Sequence, residues 1–275
     1  MKGLFFLLGL LVVTLIGCDS KNESVDLDVV KDNHNIISGI EVSQFDPIAK
    51  YTVLVNYYEK NRPEDPKPSV ISMCTGVIIG KRSILTAAHC VQATDPQKKQ
   101  YMEIYFTRSA ASTPTELRGT VYQVVIHPYY TNDSLMSRHF DLAIATLSNA
   151  VPNGYEAIEL LPNEGEVNVN DFVIASGFGK VTNSTGDQNR KLNKSTSLKI
   201  VEDWGTYFLV DQSSGSGICN GDSGGPTFYQ WKGKMYLVGI NHGFFNKNKP
   251  ESCSGTGVMV KIQTHKNWIK QNIVN

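Results

Sequence analysis

The chain has 275 residues, 26 Lys+Arg against 26 Asp+Glu, with 41% hydrophobic and 19% charged residues. That balance excludes a disordered or fibrous protein, and zero net charge excludes the dense basic face that nucleic-acid binding requires. The five cysteines, at positions 18, 74, 90, 219 and 253, are an odd number, so in an exported protein one thiol needs a separate role. In chain order the first element is an export signal. Lys2 precedes an apolar run from Leu4 to Ile16, too short for a membrane span of about 20 residues and suited to a signal-peptide core. Residues 19–35 are polar and acidic, with only Val25, Leu27, Val29 and Val30 apolar; they read as tether or propeptide. The remaining 240 residues suffice for one domain with a substantial core.

Within 36–275, β-branched and aromatic runs of strand length fall at 51–58, 76–79, 101–106, 120–126, 142–147, 172–175, 197–201, 235–240 and 258–262. Pro/Asp/Asn/Gly clusters, such as those at 62–68 and 182–187, separate them. One amphipathic helix is predicted, at the end: Thr264 can cap it, and His265, Trp268, Ile269 and Ile273 share a face. There is no repeat and no βαβ alternation, so the class is all-β, a sandwich or barrel. The end of the apolar run, Leu15-Ile16-Gly17-Cys18, resembles the lipobox of bacterial lipoproteins. That resemblance implies cleavage before Cys18 and lipid on its thiol, leaving 1–17 as signal, 18–35 as lipidated tether and propeptide, and 36–275 as the domain.

Three strings carry chemistry: Leu85-Thr86-Ala87-Ala88-His89-Cys90, Asp141-Leu142-Ala143-Ile144, and Gly221-Asp222-Ser223-Gly224-Gly225-Pro226. Together they supply a nucleophile, a base and an orienting acid. A serine hydroxyl needs an imidazole to take its proton, and that imidazole needs a carboxylate to hold one tautomer. Glycines around Ser223 allow a tight turn whose N–H groups can face an oxyanion, here those of Gly221 and Ser223. Gly221-x-Ser223-x-Gly225 also matches the nucleophile elbow of α/β-hydrolases. Those enzymes place acid and then His after the serine, but no Asp follows Ser223, and only Glu251 and His265 could serve.

The order His89…Asp141…Ser223 is that of the chymotrypsin/trypsin family of serine proteases, which the sequence closely resembles. Further landmarks are Ile36-Ile37-Ser38-Gly39, Val125-Ile126-His127-Pro128, Ala175-Ser176-Gly177-Phe178-Gly179 and Gly257-Val258-Met259-Val260-Lys261-Ile262. The resemblance implies two six-stranded antiparallel β-barrels with a C-terminal α-helix and the site in the cleft between them. It implies an endopeptidase acting on proteins or peptides, open to protein protease inhibitors, and a monomer needing no cofactor. Four cysteines allow three pairings; the resemblance implies Cys74–Cys90 and Cys219–Cys253.

The resemblance also implies activation by cleavage before Ile36, whose new amine would pair with Asp222. It places Gly217 on the floor of the specificity pocket, followed by Ile218, with Asn241, Gly243 and Gly257 along its walls. His242 reads as a wall residue. No acidic residue stands at the floor, so the expected preference is apolar or aromatic rather than Lys or Arg. A catalytically inactive homologue acting as a binding module is the alternative. The histidines beyond His34 are scattered along the sequence, which points to no metal site, and the Asn132, Asn183 and Asn193 triplets read as polar loops.

Overall fold

In the computed structural model the described residues are 36–60, 69–92, 99–109, 117–133, 137–180, 190–249 and 252–275. The signal, Cys18 and the tether therefore lie outside the described residues, as do the Asn183 triplet and Glu251. In chain order the elements are β1 (Ile40–Glu41), α1 (Ile48–Tyr51), β2 (Thr52–Lys60), β3 (Ser69–Ile78), β4 (Ser83–Thr86), a 3-10 turn (Ala88–Cys90), β5 (Lys99–Tyr105) and β6 (Arg118–Ile126). There follow α2 (Ser137–Phe140), β7 (Ala143–Leu147), β8 (Phe172–Gly177), β9 (Asn193–Lys194), β10 (Leu198–Asp203) and β11 (Tyr207–Asp211). The chain ends with β12 (Pro226–Trp231), β13 (Lys234–Phe245), β14 (Thr256–Lys261) and α3 (Ile262–Asn272).

Strand alternation divides the apolar residues between barrel interiors and the seam. On β2, Val53, Val55 and Tyr57 point into the first barrel, among Ile84, Ile104 and Phe106. Leu54, between them, points outward to a core shared with Phe228, Ile240 and Val260 of the second barrel. β7 repeats the pattern, Ala143, Ala145 and Leu147 inward and Ile144 toward the seam. Both faces of these strands are covered, which explains their nearly unbroken apolar sequence. The first barrel closes as β2-β3-β4-β7-β6-β5. The second closes because β8, already paired with β10, also pairs with β12, giving the ring β8-β10-β11-β14-β13-β12 with its own core around Phe208, Val210, Ile218 and Met259. Two closed six-stranded barrels and a terminal helix are the expected fold.

The differences are local. β4, β11 and β12 fall at 83–86, 207–211 and 226–231, and the short β1 and β9 at 40–41 and 193–194, where the sequence reading has no strand. α3 starts at Ile262 with Lys261 at its cap position and no side-chain cap; Thr264 instead donates to the Gly205 carbonyl at 2.7 Å. Ile269, fully buried, ties α3 into the seam core.

Candidate active site

The seam explains why small residues cluster in the catalytic strings. Gly224 has φ of 79°, and a Cβ there would lie 2.1 Å from Thr86 Oγ1 and 2.4 Å from the Thr75 carbonyl oxygen. Only glycine fits both that backbone and that approach of one barrel to the other. The turn is fixed across the seam: Thr75 N–H donates to the Ser223 carbonyl at 2.8 Å, and Gly224 N–H donates to the Asn241 carbonyl at 2.8 Å. Ser223 is thereby held against β3 of the first barrel. The Cys74–Cys90 disulfide closes the loop carrying His89, and Cys219–Cys253 ties the segment before Ser223 to the β13–β14 loop.

β4 delivers His89 on the 3-10 turn, where Ala87 and Ala88 are fully buried. α2 delivers Asp141, which is also fully buried. Asp141 Oδ1 accepts the His89 backbone N–H at 2.9 Å, and Oδ2 accepts His89 Nδ1–H at 2.6 Å. A third donor is present: His242 Nδ1, also 2.6 Å from Oδ2. Burial alone would push the Asp141 carboxyl up, but the hydrogen bonds and charge of His242 and His89 hold it well below the usual carboxylate range. Burial lowers the His89 pKa, but the Asp141 hydrogen bond and charge outweigh it and the net shift is upward. With Nδ1 committed to an ionised carboxylate, His89 is fixed in the tautomer that leaves Nε2 available as base.

Behind Asp141 the fold gathers three histidines that are far apart in sequence. His127 stacks on Phe140 with ring centroids 5.2 Å apart and meets His265 at 5.0 Å and Trp268 at 4.7 Å. His139 Nδ1 lies 2.6 Å from Thr206 Oγ1. Burial and neighbouring His127 push His265 down to about 4, so it is a neutral packing group near pH 7.

The hydroxyl of Ser223 donates to the His242 carbonyl at 3.4 Å. Among the described residues, neither Gly221 N–H nor Ser223 N–H has a hydrogen-bond acceptor, so both remain available to an oxyanion. Asp222, fully buried, accepts Gly179 N–H at 2.7 Å and Cys219 N–H at 2.8 Å. Burial pushes its pKa up to about 7, against the opposing pull of those two bonds and of the Arg190 charge. Ile36 is fully buried, and Ile37 pairs with Gly217 through bonds of 3.1 and 3.2 Å. Ile36 has φ of 58°, a strained conformation for a β-branched residue.

The pocket residues differ most from the sequence reading. Asn241 is fully buried and points away from the cleft. Its Nδ2 donates to the carbonyls of Ser176 and Asp222, both at 3.1 Å, and its Oδ1 accepts from Thr227 Oγ1 at 2.8 Å. It braces the catalytic turn rather than lining a wall. A β-bulge between Asn241 and Gly243 is the cause: Asn241 pairs with Met259 and Gly243 with Val258, so His242 faces Asp141. No sequence periodicity announces such a bulge.

Gln212, which sequence reasoning missed, fills the space at Gly217 and Gly257. A Cβ at Gly217 would lie 2.2 Å from Gln212 Cδ, and one at Gly257 would lie 2.3 Å from its Oε1. The Gln212 amide is spent internally, donating to the carbonyls of Ile218 and Cys253 and accepting Ile218 N–H. Ile218, nearly fully buried, packs with the second barrel's core. A Cβ at Gly243 meets nothing within 4 Å, and next to it a cleft of about 300 Å³ is lined by Arg138, His242, Gly243, Phe244, Phe245 and Val258.

Two six-stranded barrels that bring a serine on a glycine-rich turn together with a carboxylate-anchored histidine define a serine hydrolase. The chain belongs to the trypsin family, whose model, described as Trypsin, matches residues 50–269. It is 27% identical over 216 residues to chymotrypsin-like elastase family member 1 of Macaca fascicularis, covering 74% of this chain and 79% of that protein. It is 26% identical over 217 residues to trypsin-1 of Astacus astacus, covering 73% and 88%. Among solved structures, HL collagenase matches with a TM-score of 0.66 at 22% identity, covering 86% of this chain and 98% of that one, a likeness of fold. The protein is accordingly a serine endopeptidase. These relatives lend no support to the bacterial lipoprotein form read from residues 15–18.

Proposed function

We propose that Ser223, His89 and Asp141 form the catalytic triad of an exported, lipid-anchored zymogen. Ser223 Oγ bonds to the scissile carbonyl carbon as His89 Nε2 takes its proton, and the same proton passes to the leaving amine when the peptide C–N bond breaks. Water, deprotonated by His89, then releases the acyl group and restores Ser223. The Gly221 and Ser223 N–H groups bind the oxyanion in both halves. The observation that carries this reading is the pair of bonds from His89 to buried Asp141, beside a serine held on the opposite barrel. An inactive homologue serving as a binding module is not favoured, since it needs no anchored histidine. The test is labelling by a fluorophosphonate: Ser223 is expected to react in the parent and not in Ser223→Ala or His89→Ala. A parent that stays unlabelled after cleavage before Ile36 overturns the reading.

Activation is proposed to follow cleavage of the Asn35–Ile36 bond, with the Ile36 amine pairing with Asp222. The strained φ of Ile36 supports this, because cutting the bond to Asn35 frees that torsion. Cys18 is proposed to carry the lipid, so cleavage would also free the domain from its anchor. Substrates are proteins or peptides, with a proposed primary preference for apolar or aromatic side chains. A Lys or Arg side chain would meet no carboxylate at Gly217, and the Gln212 Oε1 beside it already accepts Ile218 N–H at 3.0 Å. A peptide library should show cleavage after Phe and Leu exceeding that after Lys by at least about 10-fold, the cost of one unpaired buried charge at its smallest; equal rates would remove the assignment.

A further inference from the structure

We propose that His242 is a positioning residue of the catalytic constellation, holding the Asp141 carboxylate jointly with His89. This rests on the triad reading above. Asp141 belongs to the first barrel and His242 to β13 of the second, so the bond at 2.6 Å spans the cleft at the point where the base is anchored. The backbone of the same residue receives the Ser223 hydroxyl at 3.4 Å. One residue therefore contacts the acid through its ring and the nucleophile through its carbonyl. The rings of His89 and His242 stand edge to face, 5.8 Å between centroids and 87° between planes, and do not stack or compete for space.

A carboxylate oxygen accepting two imidazole N–H groups is more firmly placed than one accepting a single donor, and its charge is shared between them. The charged and titratable groups around His242 are Asp141 and His89 from the first barrel, Arg138 of α2 across the cleft wall, and Tyr130, on which the Asp141 charge acts. The sign of the effect is the same whichever form His242 takes. A neutral donor draws charge from Asp141, and an imidazolium draws more; removing either leaves Asp141 pulling harder on the His89 proton. The acid limb of kcat/KM, which reports His89, then moves to higher pH.

The experiment compares the active enzyme with His242→Ala and His242→Asn, the latter keeping an amide N–H near the Nδ1 position. His242→Ala is expected to lose about 10-fold in kcat with KM within about twofold, and to shift the acid limb upward. His242→Asn should recover most of kcat and return the limb toward the parental pH. In proton NMR the parent should show two low-field imidazole N–H resonances, and His242→Asn should show one. If the Ala variant does not fold, the parent and Asn spectra and the Asn kinetics decide the matter. An unmoved acid limb in a folded Ala variant, a loss confined to KM, or a single low-field resonance in the parent overturns the proposal. Fluorophosphonate labelling of Ser223 alongside separates the two readings: labelled enzyme with these negative results sinks only the role of His242, and unlabelled parent sinks the triad.

Discussion

Asp141 and Asp222 are both fully buried, and their ionisation is pushed in opposite directions. Asp141 meets three N–H donors, two of them on imidazoles able to carry positive charge, and is held as an anion. Asp222 meets two backbone N–H groups and feels the Arg190 charge, and burial prevails. The difference lies in the partners, because the burial is the same. A carboxylate inside a protein stays ionised when its surroundings supply both donors and compensating charge. Asp141 already has both in the uncut chain. Asp222 has the donors, but the Arg190 charge that reaches it does not offset burial, as expected of a group whose proposed partner is an amine that cleavage has yet to create.

The largest expected effect breaks the Asp141 side. Asp141→Asn replaces an acceptor-only group with one that presents N–H toward an imidazole, forcing His89 into the tautomer that cannot act as base. In the family that serves as the template for this chemistry the same change costs about 10⁴ in kcat, and a similar loss is expected here by single-turnover kinetics, with the fold retained. A loss below about tenfold would mean that Asp141 does not orient the base.

Next in size is Asp222→Asn, made in the form that begins at Ile36. Without an anion to receive the new amine, the turn bearing Gly221 and Ser223 loses its anchor, and the expected cost is that of an impaired oxyanion hole, about 10²–10³ in kcat/KM. The uncut chain, where no amine exists, should change little in its residual activity. Equal kcat/KM for variant and parent after cleavage would rule out the pairing.

The sequence made one half of this comparison far easier to read than the other. His89, Asp141 and Ser223 each sit in a distinctive string, and the small neighbours of Ser223 have a steric reason to be there, as Gly224 against Thr86 and Thr75 makes plain. Nearly unbroken β-branched and aromatic runs marked many of the strands, since both faces of a strand at the seam need apolar cover. What stayed hidden depends on register and on contacts between distant segments. A single bulge in β13 turns Asn241 inward and His242 toward Asp141. Gln212, just past the end of β11, fills the space beside Gly217 and Gly257. The histidines look scattered because the sequence separates 127, 139 and 265, while the fold brings the rings of His127 and His265 into contact and the His139 backbone to His265.

The smallest expected effect sharpens the comparison through pH. Asp222 has its folded pKa raised, to about 7, so its contribution to stability is full below the unfolded value of about 4 and is lost as pH rises through 7. Asp141 has a depressed pKa, so its contribution is present above about 4 and lost as pH falls below that. Between pH 5 and 9 only Asp222 of the two carboxylates titrates, although His89, also raised, adds a loss of the same sign as its proton leaves. Subtracting Asp222→Asn from its parent removes the His89 part. In an uncut Ser223→Ala background, which cannot cleave itself, the variant should gain on its parent as pH climbs from 5 to 9. Of the loss spread between about pH 4 and 7, the part above pH 5 sets a ceiling of about 3 kcal/mol, and water reaching the anion on local opening brings the expected gain to about 2 kcal/mol, roughly 4–8 °C in melting temperature. After cleavage before Ile36 the amine supplies the missing cation, the Asp222 pKa falls, and the gain should vanish or reverse. A difference between variant and parent that is flat with pH in the uncut chain would mean Asp222 is already compensated there, and the contrast with Asp141 would collapse.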